Sequence, residues 1–305
     1  MIGGEAGFGK RRWVVSPGRV RYTEQVAFQE GGSGDLIRYG KTKGPLNREH
    51  WLHVFDIPKR WFWHFYAISI GWNGLLIVLS FRVIVWDQQY PSWLTDILGY
   101  LTGVPTVEVK RVPRVSTLVV QLLLLVHSLR RLLECHFVNV FSNGVIHVVQ
   151  YLFGLGYYIL LGLTVLCSDT LITEEGSSDS QLLSQLRWYH VTGAVFFSWA
   201  SMLQHRSLVL LARLRTGGSG TVETLAHRVP RGGWFELVSC PHYFAELLIY
   251  TSLGIVSAHH GLTWGLVVLY VLFNQALAAQ LCHEFYRTKF QSYPYHRKAF
   301  IPYLL

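Results

Sequence analysis

The stretch WFWHFYAISIGWNGLLIVLSFRVIVW, residues 61–86, decides the fold class. Its one formal charge is Arg82, and it opens and closes on tryptophan. About 20 mostly apolar residues in an α-helix cross the hydrocarbon of a bilayer, and tryptophan favours its two interfaces. Five further runs share this character, at 115–133, 144–167, 188–211, 237–258 and 262–282. The sequence therefore predicts an all-α, polytopic helical membrane protein of six spans. Composition agrees: of 305 residues, half are hydrophobic and only 15% are charged, against about 25% in soluble domains. That much apolar material rules out disorder as the general state.

The net charge is +9. In a soluble domain this would raise nucleic acid as a partner, but here the basic residues fall between apolar runs, beside lipid headgroups. Residues 1–60, the loop at 206–235 and the tail after 282 are rich in Lys and Arg, whereas 168–187 carries Asp169, Glu174, Glu175 and Asp179 against Arg187 alone. Basic and non-basic loops alternate, so the positive-inside rule places both termini in the cytosol. Residues 1–34 are Gly-rich and basic and contain no signal-peptide core; they are expected to be disordered, with a membrane domain at 35–305. The four cysteines are scattered without a CxxC pair, and no metal site is indicated. No GxGxxG follows a strand, and neither HExxH nor GxSxG occurs, so Rossmann, zincin and hydrolase-elbow chemistries are disfavoured.

Polar side chains within membrane spans usually face a bundle interior or a cavity. Asn139, Asn143, His147 and Gln150 are spaced to share one helical face. His242, Glu246 and Tyr250 form a second stripe, and Asn274, Gln280, His283, Glu284 and Tyr286 crowd the end of the last run. All three clusters, with several Arg, fall at the cytosolic ends of spans. The sequence thus predicts a polar pocket there, suited to a polyanionic cofactor because Arg forks bind phosphate.

The string HRVPRGGWFE at 227–236, VSCPHY at 238–243 with Ala245-Glu246, and RKAFIP at 297–302 after Phe285-Tyr286, Lys289-Phe290 and Tyr293-Pro294 resemble the steroid 5α-reductase family. DLIRYGKTK at 35–43, FDIPKR at 55–60, HSLRRL at 127–132 and VFSN at 140–143 resemble its polyprenol (polyprenal) reductase branch. The resemblance implies a helical protein of the endoplasmic reticulum membrane with NADPH held at the cytosolic side, by about residues 128–305, without a Rossmann domain. The family pattern has seven spans; its first has no counterpart here, where 1–34 stands instead. Transferred by position, the cofactor contacts are Arg131, Gln204, Arg215, Arg228, His242, Glu246 and Tyr286, joined by Asn143 from the polar stripe. The glutamate and tyrosine that hold a steroid carbonyl in the family fall on Asp56 and Ser128.

The reaction implied is NADPH-dependent reduction of the α-isoprene double bond of polyprenal to dolichal, serving dolichol synthesis for protein N-glycosylation. A side activity on 3-oxo-Δ4-steroids is compatible with it. An isolated allylic alcohol offers hydride no electron sink, whereas a conjugated aldehyde accepts it at the β-carbon while charge develops on oxygen. A donor at that oxygen stabilises the transition state. Asp56 is the first candidate for this role; Tyr66 and His127, and then His64, follow. Two other classes remain open on residues alone: a membrane methyltransferase of the isoprenylcysteine type, which would bind S-adenosylmethionine, and a non-catalytic lipid-binding protein.

Overall fold

The computed structural model describes residues 38, 40–43, 50–104, 109–167, 169–173, 182–217, 220–257 and 261–305; the stretch 1–34 lies outside them. Seven α-helices dominate the described residues: α1 Trp63–Trp86, α2 Ser92–Thr102, α3 Val115–Phe137, α4 Val148–Leu166, α5 Trp188–Thr216, α6 Pro241–Val256 and α7 Gly261–Lys289. Four short strands join them as two antiparallel pairs: β1 Asp56–Pro58 with β3 Val145–His147, and β2 Val109–Val112 with β4 Thr170–Thr173.

Each apolar run of the sequence contains a helix. By length and composition, three are long and apolar enough to cross a membrane: Lys59–Trp86, Val148–Leu166 and Leu262–Lys289. α3 and α5 are long enough, at about 35 and 44 Å for 1.5 Å per residue, and α6 has 16 residues. These three carry Arg130, Arg131, Glu134, Gln204 and Glu246.

Two features depart from the sequence reading. α2 was not anticipated: its 11 residues are too short for a span, and it buries Leu94 and Leu98 against α1 and α4. The stripe Asn139–Gln150 is not one helical face. α3 ends at Phe137, the chain is irregular to Gly144, and β3 intervenes before α4. The break is a close crossing of backbones, for a Cβ on Gly144 would lie 2.8 Å from Gly40 Cα. Gly40 itself has φ +59°, a conformation that favours glycine.

α1 packs on α3 and α4; α6 packs on α5 and α7; α3 joins the two groups through α5 and α6. The main core runs through Leu124, Phe197, Ile249, Leu253 and Ala279, and an aromatic cluster of Phe65, Tyr66 and Tyr158 fills the space between α1, α3 and α4. The tail returns to the bundle. Ser239 N–H donates to Lys298 O at 2.8 Å, and Lys298 N–H donates to Leu237 O at 3.0 Å. Arg297, 1% exposed, donates to Pro230 O at 2.7 Å and to Glu236 Oε2 at 2.8 Å. The two C-terminal motif strings are thus one folded unit, closed by a buried guanidinium.

Candidate cofactor and substrate site

The N-termini of α1 and α6 and the C-termini of α3, α5 and α7 converge on one end of the bundle. Between them lies a cavity of about 220 Å³. Lys41, Lys59, Arg131, Arg215 and Arg228 line it, and no Asp or Glu does among the described residues. A cluster of one sign walled by protein raises the local potential and draws in a counter-charge. Lys41 reaches in from the segment 40–43, its Nζ 3.8 Å from the Tyr286 ring centroid. Lys59 follows β1, and a Cβ on Gly40 would come within 3.0 Å of its Nζ. Arg215 donates to the Val140 carbonyl. Burial pushes the His227 imidazole down to about 4, and the charges of Lys41, Arg215, Lys289 and Lys59 add to that depression. His242 Nδ1 is buried at the cavity wall with no hydrogen-bond partner among the described residues. A phosphate-bearing nucleotide with an amide or ribose end matches this donor set.

Behind Arg131 the polar side chains form a closed network. Arg131 Nε donates to the Tyr66 hydroxyl at 3.1 Å and its Nη1 to Glu134 Oε2 at 2.6 Å. Arg130 donates to Glu134 Oε1 at 2.7 Å and to Gln204 Oε1 at 2.5 Å. Gln204 Nε2 donates to Glu246 Oε2, and His127 Nε2 lies 3.5 Å from Glu246 Oε1. His205 meets Glu134 at 2.9 Å. The Tyr66 hydroxyl accepts from Arg131 and so keeps its own proton for another acceptor. Its ring, 3% exposed, stands against Phe62 and Tyr158.

The residues expected from sequence separate into groups. Arg131, Arg215, Arg228, His242 and Tyr286 line the cavity. Gln204 and Glu246 belong to the network behind it, with Tyr66 and His127. Asn143 is exposed and is not among the lining residues. Asp56 stands apart: it pairs with Lys43 at 3.1 Å and His53 at 3.3 Å, in a strand opposite His147. Asp56 is not among the residues that line the cavity. Nor does Asp56 cap a helix, since the N-cap of α1 is Phe62. Ser128, the family tyrosine position, bonds Ser69 at 2.6 Å. His64 bonds Tyr151 at 2.6 Å. Lys41 and Lys59 were missed as cavity residues, although both stand in the motif strings at 35–43 and 55–60.

Comparison with known proteins gives the family. A model of the 3-oxo-5-alpha-steroid 4-dehydrogenase family matches residues 147–305. The polyprenal reductase of Danio rerio is 59% identical over 292 residues, covering 96% of this chain and 91% of that protein. The polyprenal reductases of Xenopus tropicalis and Homo sapiens are 54% and 48% identical, each over 88% of this chain and over 87% and 85% of their own lengths. The chain belongs to the steroid 5α-reductase family.

Proposed function

We propose that this protein reduces the α-isoprene double bond of polyprenal to dolichal with NADPH, in dolichol synthesis for protein N-glycosylation. The observation that carries the cofactor reading is a cavity lined, among the described residues, by five Lys or Arg side chains and no carboxylate. When bound there, NADPH supplies a hydride for the β-carbon of the conjugated aldehyde. Lys41, Lys59, Arg215 and Arg228 hold its phosphates, and His242 and Tyr286 orient the remainder. S-adenosylmethionine has no phosphates to offer these cations, which disfavours the methyltransferase reading.

Tyr66 is the donor to the aldehyde oxygen. Charge developing on that oxygen meets the phenol proton, and Arg131 behind the phenol stabilises any charge passed to it. The product is completed when the α-carbon takes a proton. The Glu134–Arg130–Gln204–Glu246 chain fixes Arg131 and the cavity floor, and Asp56 anchors the 40–43 segment through Lys43. The isoprenoid tail lies in the bilayer, which six spans cross in the endoplasmic reticulum membrane with both termini cytosolic.

The cofactor assignment is tested by titrating the purified protein with NADPH and with S-adenosylmethionine. Saturable binding of NADPH alone supports it, and binding of S-adenosylmethionine alone overturns it. Orientation is tested by inserted glycosylation sites: modification at 216–224, with none at 168–187, would reverse it.

A further inference from the structure

Three segments far apart in the chain cross beside the cavity. One is 40–43, which carries Lys41. Another is the run from β1 into α1, which carries Lys59. The third is Gly144, just before β3. Lys59 N–H donates to Gly144 O at 2.9 Å, and Pro58 pairs with Val145 in the β1–β3 ladder. The Lys59 side chain runs over Gly40, where an added Cβ would lie 3.1 Å from its Cδ and 3.5 Å from its Cε. Gly40 in turn lies on Gly144, whose added Cβ would stand 2.8 Å from Gly40 Cα and 3.2 Å from its carbonyl carbon. Carbon atoms in contact settle at about 3.5–4.0 Å, so a side chain at 144 drives the two backbones apart. Gly40 also needs glycine for its φ of +59°, whereas Gly144 is not among the positive-φ glycines. At Gly144 it is space, not backbone conformation, that calls for glycine. Beyond the crossing, Lys43 pairs with Asp56 at 3.1 Å, and Lys41 Nζ lies 3.8 Å from the Tyr286 ring centroid of α7. The segment 40–43 thus bridges the β1–β3 pair to α7.

We propose that Gly40 and Gly144 are positioning residues for the cofactor: by letting two backbones touch, they present Lys41 and Lys59 to the same cavity as a joint grip on phosphate. The role rests on the cofactor reading above. Neither glycine lines the cavity, whereas both lysines do, so the glycines act only through what they place. Two ammonium groups brought to one cavity repel each other, and a phosphate between them reverses the sign of the interaction. The grip therefore depends on where both lysines stand, not merely on their presence. A methyl group at 144 moves the 40–43 segment by about 1 Å to restore ordinary carbon contacts. That shift carries Lys41 away from its place against Tyr286 and lifts Gly40 from the Lys59 side chain, although both lysines remain in the chain.

The test is a double-mutant cycle on the full chain in lipid nanodiscs, read by fluorescence titration with NADPH and by steady-state kinetics with polyprenal. Gly144→Ala should weaken NADPH binding by about tenfold or more. The KM for polyprenal, and kcat at saturating NADPH, should stay as in the unchanged chain. Added to a chain that already carries Lys41→Met and Lys59→Met, Gly144→Ala should make no further difference to NADPH affinity, because the groups it places are gone. A glycine needed only for folding gives another pattern: kcat falls with the active fraction while NADPH affinity holds, and that result overturns the proposal. An equal loss of affinity in both backgrounds overturns it too, since Gly144 would then act through something other than the lysines. Should Gly144→Ala fail to fold, lysine acetylation of the unchanged chain decides, mapped by mass spectrometry. NADPH should protect Lys41 and Lys59 together, at the same half-saturating concentration; protection of one without the other contradicts a joint grip. If the unchanged chain binds no NADPH, the cofactor reading falls and this proposal falls with it. If it binds NADPH and Gly144→Ala binds equally well, the positioning role alone is lost.

Discussion

Where α1, α2 and α4 meet, Asp169 is buried against Tyr90, whose hydroxyl donates to Oδ2 at 2.9 Å and also meets Ser80 at 3.0 Å. Arg111, nearby, donates to Thr102 at 2.8 Å. Burial pushes the Asp169 carboxyl up to about 7 against the opposing charges of Arg111 and Arg114. At the opposite end of the same helices, Lys41, Lys59, Arg215 and Arg228 face one cavity with no carboxylate among the residues that line it. The first end gives one oxygen of its buried carboxyl a phenol donor and sets guanidinium charge near it, while Asp169 Oδ1 has no hydrogen-bond partner among the described residues. The second end gathers cations around its cavity with no carboxylate in the lining among the described residues, which suits a polyanionic ligand. Burial of charge by itself therefore does not distinguish a fold-holding cluster from a site; the sign balance of its lining does.

The comparison breaks most severely at Tyr66. Tyr66→Phe is expected to lower kcat by roughly 10²–10³, with NADPH affinity unchanged. Asp56→Asn should leave turnover of the folded protein intact and weaken the fold by about 3 kcal/mol, because buried Lys43 loses its counter-ion. Single-turnover kinetics beside thermal unfolding separates the two. Should Asp56→Asn stop turnover in protein that remains folded, the donor has been misassigned.

Next come the cavity cations. Arg215→Ala and Arg228→Ala should each cost about 1.5–3 kcal/mol of NADPH binding, or roughly tenfold or more, read by fluorescence titration. Unchanged affinity in both would erase the contrast between the two ends. Asp169→Asn should leave NADPH affinity alone and act on stability. The folded carboxyl lies at about 7, above its unfolded value near 3.9. Stability is therefore full below the unfolded value and declines as pH rises toward 7. The Asn variant should lack that decline and melt a few degrees higher at pH 8, at ~2–4 °C for each kcal/mol. The smallest effect belongs to His227. Its imidazole, depressed to about 4, should take up protons when phosphates neutralise the surrounding cations. NADPH affinity should then rise a few-fold (~1 kcal/mol or less) as pH falls from 7 to 5, relative to His227→Gln.

The helices were legible because each buries or exposes a long apolar run, and Trp61–Trp86 needed no partner to be read. α2 was not, since 11 residues cannot be told from a loop by a window of about 20. The Asn139–Gln150 stripe was misread because spacing cannot see Gly40 crossing Gly144. Arg131 and Arg228 were legible through the motif strings around them, and Arg215 through its position in the basic loop after the fifth family span. Lys41 and Lys59 depend on contacts between segments far apart in the chain. The contact of Asp56 with Lys43 was not legible for the same reason, because it is defined only by how the 40–43 segment folds back.

The most direct test of the account gives purified protein NADPH with long-chain polyprenal or polyprenol, and no dehydrogenase, and follows the lipid by mass spectrometry. The account predicts that polyprenal becomes dolichal, two hydrogens heavier, while polyprenol is untouched. Reduction of polyprenol at an equal rate would contradict it.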